Sequence, residues 1–202
     1  MKLYGSIGSP FVRKVRVMAI EGGYADQVTF AEISTKPDEP NPDLVNPLKK
    51  MPALATDDGL VLFDSRVICE YLDVKLGGGA FIPTAGAARW QARRNHALAD
   101  GLMDAAVLNR YETGVRPPNL LWPEWIAGQW VKIDGALADL ESQVGDFGTR
   151  IDMVAIAAGC ALGYLDYRFP DKDWRGACPG LAAWFAEFGA RPSMQATPPP
   201  AA

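Results

Sequence analysis

Three short pieces of the first 65 residues carry groups that could bind a peptide-like ligand: Ser9-Pro10-Phe11, Met51-Pro52 and Asp64-Ser65. The first lies between a predicted strand and a predicted helix, the second opens a strand, and the third sits at the mouth of another helix. A hydroxyl and two helix N-termini offer hydrogen-bond donors to negative charge. An X-Pro bond ahead of a strand offers backbone groups to an extended peptide. No piece is specific alone; their order and separation carry the signal.

The elements that must position them read as alternating β and α over residues 1–77. Lys2-Leu3-Tyr4-Gly5 is a short strand. Pro10 suits the first turn of a helix reaching about Ile20, with Val12, Val15 and Ala19 on one apolar face and Gly22-Gly23 closing it. A second strand runs from Val28 to Ile33, and a Pro-rich loop follows to Pro47. Ala53-Leu54-Ala55 and Leu60-Val61-Leu62 flank Asp57-Asp58-Gly59 as a hairpin. Ser65 is expected to cap a helix carrying Val67, Ile68, Tyr71 and Leu72. The order is βαβ followed by ββα. Residues 78–86 read as a linker, and residues 87–202 as helical throughout. There, Trp90 to Leu108 and Ile126 to Val144 follow helical stripes, and Pro117-Pro118 interrupt. Thr149-Arg150-Ile151-Asp152 has the form of a capping box with Asp in place of Glu, opening an apolar helix through Ile156 to Tyr164. Pro179 to Phe188 makes a last helix, and the tail Pro198-Pro199-Pro200-Ala201-Ala202 is expected to fray.

Composition narrows the class. A chain of 202 residues, 49% hydrophobic and 22% charged, can bury a sizeable core. A net charge of −4 argues against nucleic acid or an anionic membrane as partner. No apolar run reaches the roughly 20 residues that span a bilayer, and no secretory leader is evident, so the expected compartment is the cytoplasm. Cys69, Cys160 and Cys178 form neither a disulfide framework nor a metal site. The first two fall in apolar helical patterns, and Cys178 lies near a turn where exposure is expected. His96 is the single histidine and is expected to be structural. Ser-His or Cys-His catalysis has little material here.

The βαβ–ββα unit followed by helices resembles the glutathione transferase superfamily. The resemblance rests on the run from Ser9 to Val17, on Asn46 to Leu54, on Phe63-Asp64-Ser65 and on Thr149 to Asp152, and it covers almost the whole chain. It implies a thioredoxin-like N-terminal domain, an all-helical C-terminal domain and glutathione as co-substrate, with no metal. Ser9 would then donate its hydroxyl to the glutathione sulfur. A free thiol with pKa of about 8.5 is mostly protonated at neutral pH, and each unit of lowering corresponds to about 1.4 kcal/mol of preferential thiolate binding. Met51-Pro52 would be a cis-proline turn presenting Met51 backbone groups to the cysteinyl part of glutathione. Ser65 would bind the γ-glutamyl carboxylate, with Asp64 holding the amine. Lys50, and secondarily Lys49, would meet the glycyl carboxylate, and Phe11 belongs to the same set. Asp152 resembles the family's structural capping residue.

Thiol members of the superfamily carry Cys where Ser9 stands, so mixed-disulfide chemistry is not expected. The leading reading is a cytoplasmic, homodimeric transferase that attacks a small electrophile held between the Ser9 end and the first helix of the second domain. Phe11, Asn109 and Tyr111 are candidates to line that pocket. A non-catalytic binding or interaction module on the same fold is the alternative of a different class. A glutathione-dependent isomerase, dehalogenase or peroxidase is equally compatible with Ser9.

Overall fold

The computed structural model describes residues 1–149 and 151–200. Four strands form one mixed sheet in the order β2-β1-β3-β4, from β1 (Lys2–Gly5), β2 (Thr29–Glu32), β3 (Ala53–Ala55) and β4 (Val61–Leu62). β1 and β2 are parallel, joined through α1 (Pro10–Glu21), while β3 is antiparallel to both β1 and β4. The hairpin forms as expected. Thr56 closes it by accepting at Oγ1 from the Leu60 N–H and donating its own N–H to the Leu60 carbonyl, both at 2.9 Å. Gly59 takes φ 87°, a left-handed value that a side chain would strain. α2 (Ser65–Lys75) completes the unit.

Helices account for most of the remaining described chain. α3 (Gly86–Gly114) and α4 (Pro123–Phe147) pack along each other, and α5 (Met153–Arg168) lies between α3 and α1. Every residue from Met153 to Leu165 is buried, so α5 is apolar on all sides, as a central helix must be. α6 (Trp174–Ala177), α7 (Pro179–Gly189) and α8 (Pro192–Gln195) finish the chain. Two expectations are corrected at this level. Cys178 is buried, because the turn that holds it packs between α6 and α7. The proline tail does not splay from the surface: the Thr197 hydroxyl bonds the Ser193 carbonyl, and Pro199 and Pro200 lie against the loop before α1. Its last two residues, Ala201 and Ala202, lie outside the described residues.

The start of α5 also differs from the expected box. Asp152 is itself the N-cap, accepting from the Val154 and Ala155 N–H groups at 3.0 Å each, and the helix begins at Met153. Thr149 precedes this cap, and Arg150 lies outside the described residues. The Met153 N–H bonds the Phe81 carbonyl, which ties the entry of α5 to the segment after α2.

A buried polar cluster joins three helices. Lys14 of α1 is fully buried, with Nζ 2.5 Å from Asp100 Oδ1 and 2.9 Å from His96 Nε2. Arg66 of α2 places Nε 2.8 Å from Asp100 Oδ2. Burial, then the charges of Lys14 and Arg66, hold the His96 pKa down to about 2, so its ring is neutral and accepts from Lys14.

Two consequences are measurable. Asp152→Ala removes a cap with two backbone donors and should lower stability by about 0.5–2 kcal/mol in urea titrations; equal midpoints and slopes would show that the cap is dispensable. The unfolded chain binds a proton at its histidine near pH 6.5, whereas the folded chain does not, so this group makes stability fall as pH drops below about 6.5. His96→Gln should flatten that decline between pH 6.5 and 5 by up to about 1.4 kcal/mol per pH unit, read from urea midpoints of parent and variant at each pH.

Candidate functional site

The register of the sheet brings the three sequence pieces to one end. Tyr4 pairs with Ala53, so β1 ends where β3 begins; Leu54 pairs with Leu62, so β4 ends there too. The chain therefore leaves β1 toward Ser9, enters β3 through Met51-Pro52 and leaves β4 toward Asp64-Ser65 at the same edge. The Ser6 N–H lies 3.2 Å from Met51 Sδ and ties the first two together. The Met51–Pro52 bond is cis, as is Phe63–Asp64.

Ser9 is the N-cap of α1. Its Oγ accepts from the Val12 N–H at 3.4 Å, a long contact that occupies one lone pair and leaves the hydroxyl proton uncommitted. Capping and donation to an external anion are therefore compatible in one side chain. α1 can close on the end of β1 because residue 5 is glycine: a Cβ there would stand 2.3 Å from Val12 Cγ2.

Asn46 shapes the second piece. It accepts from the Leu48 N–H at 2.9 Å and donates to the Lys50 carbonyl at 2.8 Å, folding residues 46–50 into a tight turn. Lys49 is spent within that loop, donating to the Pro42 and Leu44 carbonyls, so the structure gives it no part in the site. Lys50 is exposed and forms no ion pair among the described residues. The third piece corrects the sequence reading of the cap. Asp64, not Ser65, caps α2, accepting from the Arg66 N–H at 2.9 Å. Ser65 is the first helical residue, 2% exposed, and its hydroxyl bonds no other described residue. An unspent hydroxyl at a helix N-terminus is suited to a carboxylate.

Beside Ser9 lies a recess between the β1–α1 loop and α5. Its floor is Cys160, Gly163 and Tyr164; Arg13 and Tyr167 flank it, and Pro199 of the tail edges it. α5 supplies the helical side of this recess, and α3 is near it, since Tyr111 and Arg110 act on the Tyr164 hydroxyl. Tyr111 is 41% exposed, Asn109 is fully buried, and Phe11 packs against the core with Lys14 Nζ 5.9 Å from its ring. Tyr164, which the sequence reading placed only as the end of an apolar helix, shares one helix face with Tyr167 and Arg168 by i, i+3, i+4 spacing. Burial raises the Cys160 thiol to about 11 and the Tyr164 hydroxyl to about 12, the latter opposed by Arg168, so both stay neutral at physiological pH. The recess is thus lined by the hydroxyls of Ser9, Tyr164 and Tyr167 and by one cation, Arg13, and its thiol, Cys160, stays protonated.

Comparison with known proteins agrees with this arrangement. The model of the glutathione S-transferase N-terminal domain matches residues 8–75, and that of the C-terminal domain matches residues 123–187. The uncharacterised GST-like protein YibF of Escherichia coli K12 is 34% identical over the whole of both chains. A glutathione transferase family member from Pseudomonas fluorescens Pf-5, solved with bound glutathione, is 47% identical with a TM-score of 0.96 over 99% of each chain. A structure of a family member from the same strain with bound S-(propanoic acid)-glutathione is 46% identical, with a TM-score of 0.92 over 98% of this chain and 99% of the other. With a thioredoxin-like unit carrying Ser9, Met51-Pro52 and Asp64-Ser65 ahead of an all-helical domain, the chain belongs to the glutathione S-transferase family.

Proposed function

We propose that the protein is a glutathione transferase that activates the glutathione thiolate for attack on a small electrophile. The observation that carries this reading is the uncommitted Ser9 hydroxyl proton at the α1 N-terminus, on the same sheet edge as Met51-Pro52 and the buried Ser65 hydroxyl. Relatives at 47% and 46% identity hold glutathione or an S-substituted glutathione, which supports the same ligand here.

In this reading Ser65 and the α2 N-terminus take the γ-glutamyl carboxylate, with Asp64 beside the amine. The Met51 N–H and C=O, which make no backbone hydrogen bond among the described residues, pair with the cysteinyl unit. Lys50 meets the glycyl carboxylate. Phe11 is left to packing. Ser9 donates to the sulfur, and the positive end of α1 adds to the stabilisation of the thiolate. A charge-assisted hydrogen bond contributes about 1.5–3 kcal/mol, equivalent to one or two pKa units of the thiol. Cys69, Cys160 and Cys178 are free and buried, which suits a reducing compartment such as the cytoplasm.

Two substitutions separate the roles. Ser9→Ala should raise the thiolate pKa of bound glutathione, read by ultraviolet absorbance against pH, and lower kcat about tenfold or more. Ser65→Ala should raise KM for glutathione with nearly constant kcat, because its contact is remote from the sulfur. An unchanged thiolate pKa and kcat in Ser9→Ala would leave Ser9 as a helix cap only. Glutathione binding without turnover of any electrophile would instead favour the binding-module reading.

We also propose a homodimer. α2 and the start of α3 present Val67, Val74 and Trp90 to solvent, with Val74 and Trp90 each 72% exposed, an apolar surface that a second copy could cover. Light scattering at micromolar concentration should give twice the 21.8 kDa chain mass; a single species at the chain mass would refute the dimer.

A further inference from the structure

Arg13 lines the recess beside Ser9 and Arg168 reaches the loop before it, and no described carboxylate neutralises either. Arg168 ends α5 and folds back over the Tyr167 ring, with Cζ 3.9 Å from the centroid. The same guanidinium faces the buried Tyr164 hydroxyl. It reaches across to the loop before Ser9, where a Cβ on Gly8 would stand 3.5 Å from Nη2. Its Nε is buried and has no hydrogen-bond partner. On the adjoining wall, Arg13 donates Nη2 to the Met194 carbonyl at 3.0 Å, and its Nε is likewise buried and unpaired. Residue 163 is glycine where Arg13 passes: a Cβ there would stand 2.6 Å from Nη1. Among the described residues no carboxylate ion-pairs with Arg13 or Arg168. Asp166, the acid nearest to Arg168 in sequence, is committed to Arg175 and Trp174.

A partly desolvated guanidinium without a counter-charge is costly, and so is each buried N–H without an acceptor. A carboxylate resolves both problems, since its two oxygens match the fork of a guanidinium. The α1 N-terminus beside Ser9 adds potential of the same sign. Tyr167 and Tyr164 hold Arg168 in place by stacking and polar contact, so little side-chain freedom would be lost on binding.

We infer that the electrophile side of the site is built for a substrate bearing a carboxylate close to the carbon that joins sulfur, with Arg168 as the residue that recognises it and Arg13 adding charge. This rests on the glutathione reading above, because Ser9 marks the sulfur position only if glutathione binds. The competing account is structural: a cation in the last turn of α5 interacts favourably with that helix terminus and needs no ligand.

Calorimetry on the full chain distinguishes them, with glutathione, S-propylglutathione and S-(2-carboxyethyl)glutathione as probes. The last two match in length and differ in the acid group. The parent should bind the carboxyethyl conjugate about tenfold or more tightly than the propyl conjugate. Arg168→Met keeps an apolar stem over Tyr167 and should erase that preference while changing glutathione affinity less than about twofold. Arg168→Lys, which keeps the charge and loses the fork, should retain part of the preference. Equal binding of the two conjugates by the parent would overturn the inference, as would a variant weakened alike toward all three ligands. Failure of the parent to bind glutathione itself would overturn the glutathione reading, and this inference with it.

Discussion

Asp100 holds two cations from two different helices, and the helix starts that carry Ser9 and Ser65 are both referred to it. Lys14 and Arg66 meet its two oxygens at 2.5 Å and 2.8 Å, each within five residues of the start of α1 or α2. Both helices are thereby referred to one residue of α3. Lys14 is wholly buried, so its ammonium is tolerable only while Asp100 and the neutral His96 ring face it. A buried ion pair of this kind is weak evidence for stability and stronger evidence for a defined geometry: removing the carboxylate would leave an uncompensated charge between the thioredoxin-like and helical layers.

The sheet supplies the other half of the geometry. An antiparallel pair must begin where its partner ends, so β1, β3 and β4 deliver three loops to one edge whatever the loops contain. The loops then divide the polar work. Asn46 and Lys49 are consumed in folding the turn before Met51, which keeps Lys50 exposed. Asp64 takes the capping duty of α2 and so spares the Ser65 hydroxyl. Ser9 does both, since an oxygen that accepts from Val12 can still donate its proton elsewhere. Positions that satisfy the backbone and positions that remain free for a ligand are neighbours, one residue apart.

The helical layer contributes the second wall, and it does so through α5. That helix is buried nearly to its end because it packs against both α1 and α3. Only at its last turn do polar side chains emerge, next to the loop that carries Ser9. The recess is therefore lined by Cys160, Gly163 and two tyrosines, with Arg13 as its one cation and Arg168 at the neighbouring loop, within a chain whose net charge is −4. The terminal prolines close its edge, which makes a segment expected to be loose part of the wall.

Much of this was legible in the residues alone. The order βαβ–ββα, the hairpin at Asp57-Asp58-Gly59 and the long helices follow from local signals, namely periodicity, turn residues and prolines at helix starts, and the grouping of Ser9, Met51-Pro52 and Asp64-Ser65 came from their order and separation together with the family resemblance. What local signals could not decide was which of two adjacent polar residues would act as the cap. Both Asp64 and Ser65 are good candidates, as are Thr149 and Asp152, and the choice falls to whichever backbone the neighbouring layer holds in place. Nor could they show that Lys14 is buried, that Cys178 is covered, or that α5 comes to the Ser9 loop. Those facts join residues some 80 to 150 positions apart, where only packing sets the distance. Sequence determined which hydroxyls, backbone groups and helix starts the three pieces offer; tertiary structure decided what stands opposite them, because charge and burial there belong to pairs of distant residues rather than to any one of them.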